Sequence, residues 1–366
     1  MAERAGSPEK EQLFRIIREG WGIAGGIVSI GSFGNGHING TWRFTVKQGE
    51  GQKAYVLQSV NHHVFKDPYA VMENIRKVTA HLRAKGLRTL TFLENPADGT
   101  LLYRKDGAYW RLSEALPGVS YDRTDDPVIL RAAGRAFGAF GNALSDLDGS
   151  GLRETIPGFH DTVQRFNALS EAEKGDVSGR KASVTEELRA YRERAEKAAL
   201  IACAASSGKI PLRVTHNDTK FNNVIIDPVS KREVAVIDLD TVMPGTVLFD
   251  FGDAMRYLAN TAAEDEQDIG KIRFDSARFR AFAEGFLGEV KDCLTGAEKE
   301  SLALSPFSAT VECGARFLTD HLNGDVYFRT AYPEHNLVRA RNQLALAMDM
   351  ERHEDEIRNI IGEILK

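Results

Sequence analysis

Asp218, Lys220 and Asn223 fall within the run Val-Thr-His-Asn-Asp-Thr-Lys-Phe-Asn-Asn-Val from Val214 to Val224. One residue separates the acid from the base, and two separate the base from the amide. A second carboxylate, Asp238, ends the apolar run Val-Ala-Val-Ile, and Asp240 follows two positions later. Moving a phosphoryl group from ATP to a hydroxyl would use such a set. One carboxylate orients the hydroxyl, a cation steadies the γ-phosphate, and an amide with a second carboxylate holds Mg²⁺. On this reading Asp218 and Lys220 are catalytic. Asn223, Asp238 and Asp240 are metal ligands, because oxygen donors suit a hard cation, and a strand would point both aspartates to one face. The plainer reading is a polar turn before a strand, with Asp238 capping the next turn. His216 reads as an orienting, hydrogen-bonded group. Asp250 and Asp253, in Asp-Phe-Gly-Asp, read as structural, Asp250 capping a helix or locking the loop.

A second polar region is Gly31-Ser-Phe-Gly-Asn-Gly-His-Ile-Asn-Gly40. Glycines let backbone N–H groups approach phosphate, so Gly34 and Gly36 are candidate nucleotide contacts. The spacing is not that of a Walker A loop, and a dinucleotide fingerprint fits poorly because strands flank the loop on both sides. A plain Gly-rich hairpin fits equally well. His37 and Asn39 are polar groups that such a hairpin does not need, and they are candidate acceptor contacts. Gln58, in Val-Leu-Gln, stands where a kinase lobe would carry a phosphate-binding lysine. It can hydrogen-bond a phosphate but not neutralise it. Glu73 on the following helix therefore has no obvious lysine partner, and a solvated helix face describes it as well as a site role does.

The elements that must position these residues change character along the chain. Thr41 to Lys47 alternates and Ala54 to Val60 is a second apolar run, with a Gly49-Glu50-Gly51 turn between them, which predicts a hairpin. Asp67-Pro68 opens a helix with Val71, Ile75, Val78 and Leu82 as its buried stripe. Strands are expected over Arg88 to Leu93, Thr100 to Arg104 and Ala108 to Ser113, the last two joined at Asp106-Gly107. Helical periodicity dominates from Pro127 onward, broken by strands at Val224 to Ile226 and Val234 to Asp238. Pro and Gly in Glu114-Ala-Leu-Pro-Gly118 mark the change of pattern. The expected division is a nucleotide-binding lobe over 1–115 and a catalytic and acceptor-binding lobe over 116–366.

Composition narrows the setting. At 366 residues with 42% hydrophobic and 27% charged residues, the chain can bury a large core. A net charge of −5 gives no basic footprint for nucleic acid. No run has the apolar length of a membrane span, and the polar start, Met1 to Glu11, lacks the apolar core of a signal peptide. Three widely spaced cysteines match neither a zinc site nor a disulfide framework. Together these predict a cytoplasmic protein with no membrane or nucleic-acid partner.

The loop from His216 to Asn223 and the Ile-Asp of Ile237-Asp238 resemble the aminoglycoside phosphotransferase and choline kinase superfamily. The resemblance covers most of the chain. It implies a two-lobed, protein-kinase-like α+β fold, with a small antiparallel-sheet N-lobe carrying one helix and a larger, mainly helical C-lobe. It also implies ATP and Mg²⁺ as cofactors, Asp218 as the catalytic carboxylate, and Asn223 and Asp238 as metal ligands. Glu114 to Leu116 would be a hinge offering backbone groups to adenine. A narrower set of motifs looks like the N-acetylhexosamine 1-kinases. These are His-Asn-Asp-Thr-Lys, Ile-Asp-Leu-Asp-Thr-Val-Met-Pro-Gly, Gly-Asn-Gly-His-Ile-Asn, Tyr-Val-Leu-Gln and the segment Arg316 to Phe328. That branch phosphorylates the anomeric hydroxyl of free GlcNAc or GalNAc, and Gln58 agrees with it. Arg316 and Tyr327 would then contact the sugar. Alternatively, Arg316 and Asp320, four apart on a helix, would form a surface ion pair. Two other functions stay open: a kinase of aminoglycosides or other amino alcohols, and a catalytically silent nucleotide- or sugar-binding protein.

Overall fold

The computed structural model of the chain describes residues 10–23, 25–34 and 38–366. Gly36 and His37, expected at the nucleotide and the acceptor, lie outside the described residues.

The N-terminal third is built around one sheet. Helix α1 (Lys10–Trp21) is followed by β1 (Ile27–Ser32), β2 (Gly40–Gln48) and β3 (Gly51–Val60). Helix α2 (Pro68–Ala84) then leads to β4 (Tyr103–Lys105) and β5 (Ala108–Glu114). The strand order is β1-β2-β3-β5-β4, antiparallel throughout. One face of the sheet follows the expected alternation. Trp42, Phe44, Val46, Tyr55, Leu57, Trp110 and Leu112 are buried there against Leu13, Ile16, Ile17 and Trp21 of α1. Gln58 and Arg111 are register partners and, by the same alternation, point the other way, where Arg111 meets Met72 of α2. Asp67 caps α2 by accepting the Ala70 N–H at 3.0 Å. Asp106 and Gly107 both have positive φ, 50° and 79°, as a two-residue hairpin turn requires. The strand expected over Arg88 to Leu93 is reduced to one bridge, Phe92 to Ser113, because β4 takes the edge beside β5.

The remainder is mainly helical: α3 (Pro127–Ala143), α4 (Thr162–Gly175) and α5 (Thr185–Ser206) precede four short strands. These are β6 (Arg213–Thr215), β7 (Val224–Ile226), β8 (Glu233–Val236) and β9 (Met243–Gly245), paired as the ribbons β6–β9 and β7–β8. Helices α6 (Val247–Leu258), α7 (Ser276–Val290), α8 (Gly296–Ser301), α9 (Ser305–Leu322), α10 (His335–Arg352) and α11 (Glu354–Leu365) complete it. Helices α3 and α7 pack backbone to backbone. A Cβ at Gly134 would stand 2.2 Å from the Phe282 carbonyl, and one at Gly285 would stand 2.1 Å from that of Arg131.

The chain leaves the sheet at Glu114 and crosses onto the β7–β8 ribbon. Gly118 has φ +124°, and a Cβ there would strike the Ile225 side chain at 2.6 Å. Val119 then pairs with Ile226 through two backbone hydrogen bonds. The result is the expected α+β arrangement, an antiparallel sheet with helices followed by a larger helical lobe. Among the described residues no helix is long and apolar enough to cross a membrane.

Candidate active site

The loop expected to be catalytic joins β6 to β7, and its backbone is held from below by Asp250, near the start of α6. The Asp250 carboxylate accepts the N–H groups of His216 (2.9 Å) and Asn217 (2.7 Å), and its carbonyl accepts the Thr219 hydroxyl (2.6 Å). Asp250 is 4% exposed. It is the loop lock that the sequence offered as one of its two roles. His216 accepts the Asp218 N–H at Nδ1 (3.2 Å), which leaves Nε2 to donate to the Ile237 carbonyl (2.9 Å). It therefore orients the loop through both ring nitrogens. Asn217 sits in the left-handed region at φ 64°. Its amide donates to the carbonyls of Thr215, Thr241 and Met243. Gly245 is obligatory beside it, since a Cβ would stand 2.4 Å from Asn217 Oδ1.

On this platform Lys220 Nζ lies 3.1 Å from Asp218 Oδ1. The Asp218 carboxylate raises the lysine pKa further above its ordinary value, against the effect of burial, so Lys220 is a fixed cation. Asn223 donates from Nδ2 to the Asp218 carbonyl at 2.8 Å, which turns its Oδ1 away from the loop. The β7–β8 ribbon brings the two separated ligand candidates together. Val224 pairs with Val236, and the Ile237 N–H reaches the Asn223 carbonyl at 2.9 Å. Asn223 and Asp238 therefore sit at one end of the same ribbon.

Asp238 departs from expectation in its backbone. It lies past the end of β8 in the left-handed region, φ 59° and ψ 60°, and opens a 3₁₀ turn over Leu239–Thr241. The premise that one strand aims Asp238 and Asp240 alike is therefore corrected. Asp240 turns toward the sheet instead. Both its oxygens meet the Arg111 guanidinium, Oδ2 at 3.0 Å from Nη2, and Oδ2 also accepts from Asn39 Nδ2 at 2.6 Å. Arg111 and Asp240 are each 2% exposed. The structure thus commits both oxygens of Asp240, expected as a metal ligand, to a buried ion pair. Asp238 remains exposed to its neighbours' charge. Burial, then Asp240 and Asp218, push its carboxyl up to about 6, against Arg111 and His216. Crowded carboxylates of this kind favour a bound cation. The donor set, one carboxylate and one amide oxygen, fits a hard divalent ion that keeps water and phosphate as its other ligands.

The other expected nucleotide residues are spread around this centre. Gly34 has φ +76°. Gln58 is spent inside the sheet, donating to Thr41 Oγ1 (3.2 Å) and accepting from Arg111 Nε (2.9 Å). The side chain expected at the nucleotide is thus hydrogen-bonded at both of its amide atoms. Asn39, expected at the acceptor, is likewise committed at both ends, to Asp240 and to the Asn61 N–H at 2.9 Å. Glu114 gives its N–H to Thr91 and its side chain to Lys53. The Leu116 peptide makes no backbone hydrogen bond among the described residues, which leaves it available as the hinge contact.

The residues expected on the acceptor side gather around α9. The Arg316 guanidinium lies between the rings of Phe159 (4.9 Å) and Phe328 (5.5 Å) and makes no hydrogen bond or ion pair among the described residues. The alternative pair with Asp320 does not form. Asp320 instead accepts the N–H groups of Val326, Tyr327 and Phe328 and the Asn336 amide, all at 2.8–2.9 Å. That clasp fixes the loop carrying the exposed Tyr327.

Sequence reasoning missed three partners. Arg111 lies in an apolar strand with nothing local to mark it. His160 bridges the Asn217 carbonyl (2.9 Å) and Glu312 of α9 (2.8 Å). Burial opposes charge on His160, but Glu312 and the Asn217 carbonyl outweigh it and raise its pKa. Glu312 is itself buried and also takes the Thr162 hydroxyl. Asp253, expected as structural, pairs through Oδ1 with Arg256 (2.8 Å), while its buried Oδ2 has no partner among the described residues.

The model of the phosphotransferase enzyme family matches residues 29–285. Solved structures share the fold at low identity. A spectinomycin phosphotransferase in complex with ADP and spectinomycin aligns with TM-score 0.59 and 13% identity, over 94% of this chain and 100% of that one. A Plasmodium vivax ethanolamine kinase aligns with TM-score 0.59 and 13% identity, over 93% and 90%. An amicoumacin kinase in complex with AMP-PNP and Ca²⁺ aligns with TM-score 0.59 and 10% identity, over 92% and 93%. With the match spanning well over half its length, the chain belongs to the phosphotransferase enzyme family.

Proposed function

We propose that this protein is an ATP- and Mg²⁺-dependent kinase that phosphorylates the anomeric hydroxyl of a free N-acetylhexosamine, GlcNAc or GalNAc, to the sugar 1-phosphate. Residues 1–115 form the nucleotide-binding lobe and 116–366 the catalytic and acceptor lobe. Asp218 orients the sugar hydroxyl and takes its proton. Lys220 faces the transferred phosphoryl group. Asn223 and Asp238 hold the magnesium ion, which neutralises charge on the phosphates. Gly34 and Leu116 flank the nucleotide.

The observation that supports a neutral acceptor is the free guanidinium of Arg316 in its aromatic sandwich. Arg165 stands close by, bound to the carbonyls of Gly158 and Phe159, and its pKa is lowered by burial and then by Arg316. Two guanidinium groups at the acceptor end would repel a polycation. They offer several planar donors to hydroxyl and acetamido oxygens. One feature favours the other reading, an amino-alcohol kinase: the unpartnered Asp253 Oδ2 could receive an ammonium group.

Turnover of ATP with a panel of acceptors separates the two. GlcNAc or GalNAc should be phosphorylated and the methyl glycoside, which lacks the free anomeric hydroxyl, should not. Phosphate on the methyl glycoside would show attack at another position. Robust turnover of kanamycin or ethanolamine with none of GlcNAc would establish the amino-alcohol reading instead.

A further inference from the structure

The nucleotide end lacks the cation that its strand β3 would be expected to supply. Gln58 is neutral, Lys53 is drawn to Glu114 at the half-exposed edge, and Glu73 faces solvent 4.0 Å from Lys77. A buried guanidinium stands one strand away instead. Arg111 is the register partner of Gln58 and uses every part of its fork. Nε donates to Gln58 at 2.9 Å, both terminal nitrogens donate to Asp240, Nη1 also faces Met72 Sδ of α2 at 3.6 Å, and the plane lies over Phe92 at 5.4 Å. Asp240 is two residues beyond Asp238 and also holds Asn39, at the end of the Gly-rich segment. One ion pair therefore ties β5, α2, the Gly-rich segment and the turn bearing the candidate metal ligand.

We propose that Arg111 is the positioning residue of the nucleotide end: acting through Asp240, it fixes the Asp238 turn and Asn39 in the register that receives Mg²⁺·nucleotide. This inference rests on the phosphotransferase reading. Arg111 touches no reacting group. It replaces a lysine on β3 by a fork on β5, and it works across the two lobes, not within one. A bidentate pair specifies geometry that a point charge does not. Arg111→Lys should therefore fail to substitute even though it keeps the charge.

The test is calorimetric titration of Mg²⁺·ADP into the full chain, with melting curves and the KM of each substrate. In Arg111→Lys the Kd for Mg²⁺·ADP and the KM for ATP should rise by about tenfold or more, the effect of losing a charge-assisted hydrogen bond. The acceptor KM should stay within about twofold. Asp240→Asn should behave alike, and the Arg111→Lys/Asp240→Asn double variant should be little worse than either single. A lone buried charge can unfold the protein, so Arg111→Met/Asp240→Leu removes both charges together, a replacement that buried pairs often tolerate. It should melt cooperatively yet still bind Mg²⁺·ADP about tenfold or more weakly. Wild-type affinity in that double variant overturns the inference. So does an acceptor KM that rises in step with the ATP KM, and so does weakened binding in Asp240→Asn with wild-type binding in Arg111→Lys, which would make Asp240 a direct ligand. A wild-type protein that binds no Mg²⁺·ADP overturns the kinase reading and this inference with it.

Discussion

On the proposed function there is a nucleotide end, where three carboxylates, Asp218, Asp238 and Asp240, face Arg111 and Lys220. At the acceptor end two guanidinium groups, Arg165 and Arg316, stand together, and neither forms an ion pair among the described residues. The first region cancels charge by tight pairing and still leaves Asp238 crowded. The second leaves donors open and props them with aromatic rings and main-chain carbonyls. The same loop serves both, locked by Asp250 beneath and by His160 from the α9 side. On the proposed function this difference assigns a cation with phosphates to one end and a neutral, oxygen-rich molecule to the other.

The hardest blow to this picture falls between the two ends. Asp218→Asn should leave the loop intact, since its backbone is held by other residues, and lower kcat by roughly 10²–10⁴, the usual range for a positioned acid–base group. Both KM values should change little. A near-normal kcat with an unchanged melting curve would remove Asp218 from the mechanism.

Asp238→Ala strikes the nucleotide end alone. An oxygen ligand and its charge vanish together, so nucleotide binding should become nearly indifferent to Mg²⁺, and unchanged Mg²⁺ dependence would end the metal assignment. The pH dependence of stability sharpens the same point. With its folded pKa raised from 3.8 to about 6, Asp238 binds its proton more tightly folded than unfolded. In metal-free buffer its ionisation costs stability progressively as pH rises from 3.8 to about 6, and the cost persists above that. Asp238→Asn, measured with a chelator, should melt above wild type at pH 7, and the gap should close as pH falls through this window. A gap that is constant across pH would show that the crowding of Asp238 is absent.

Arg316→Ala strikes the acceptor end. The acceptor KM should rise by about tenfold, the loss of a charge-assisted hydrogen bond or two, with the KM for ATP unchanged. Arg316→Lys should not restore it, because a compact ammonium cannot lie flat between Phe159 and Phe328. Equal KM changes for both substrates would mean that Arg316 supports the fold and not the sugar.

The two ends also differ in how much of them was legible. The catalytic loop could be read because its chemistry is packed into consecutive residues, and the ribbon bringing Asp238 to Asn223 is announced by two short apolar runs. The sheet was legible through period-two alternation and the Asp106-Gly107 turn. Arg111 and Asp240 were not, because they lie 129 residues apart and only the β3–β5 register brings Arg111 to that face. Strands β6 and β9, three residues each, are too short to show a period. Helix α1 escaped behind the polar reading of the first residues, although Leu13, Ile16, Ile17 and Trp21 keep helical spacing. His160 and Glu312, 152 positions apart, gave no local sign of their pairing.

The smallest expected effect tests whether the nucleotide end truly depends on its buried fork. Gln58 supplies one neutral acceptor to Arg111 Nε and one donor to Thr41. A neutral hydrogen bond contributes roughly 0.5–1.5 kcal/mol, so Gln58→Ala should raise the KM for ATP only a few-fold, by about tenfold at most. Lys220→Ala should cost more, and in kcat, because Lys220 carries a charge held beside Asp218. Arg111→Lys should exceed Gln58→Ala in its effect on nucleotide affinity, since Arg111 keeps its two bonds to Asp240 when Gln58 is truncated. If Gln58→Ala were the most damaging of the three, the amide itself would have to reach the nucleotide. The Arg111–Asp240 pair would then be packing beneath the site, and the contrast between a paired end and an open end would fail at its first member.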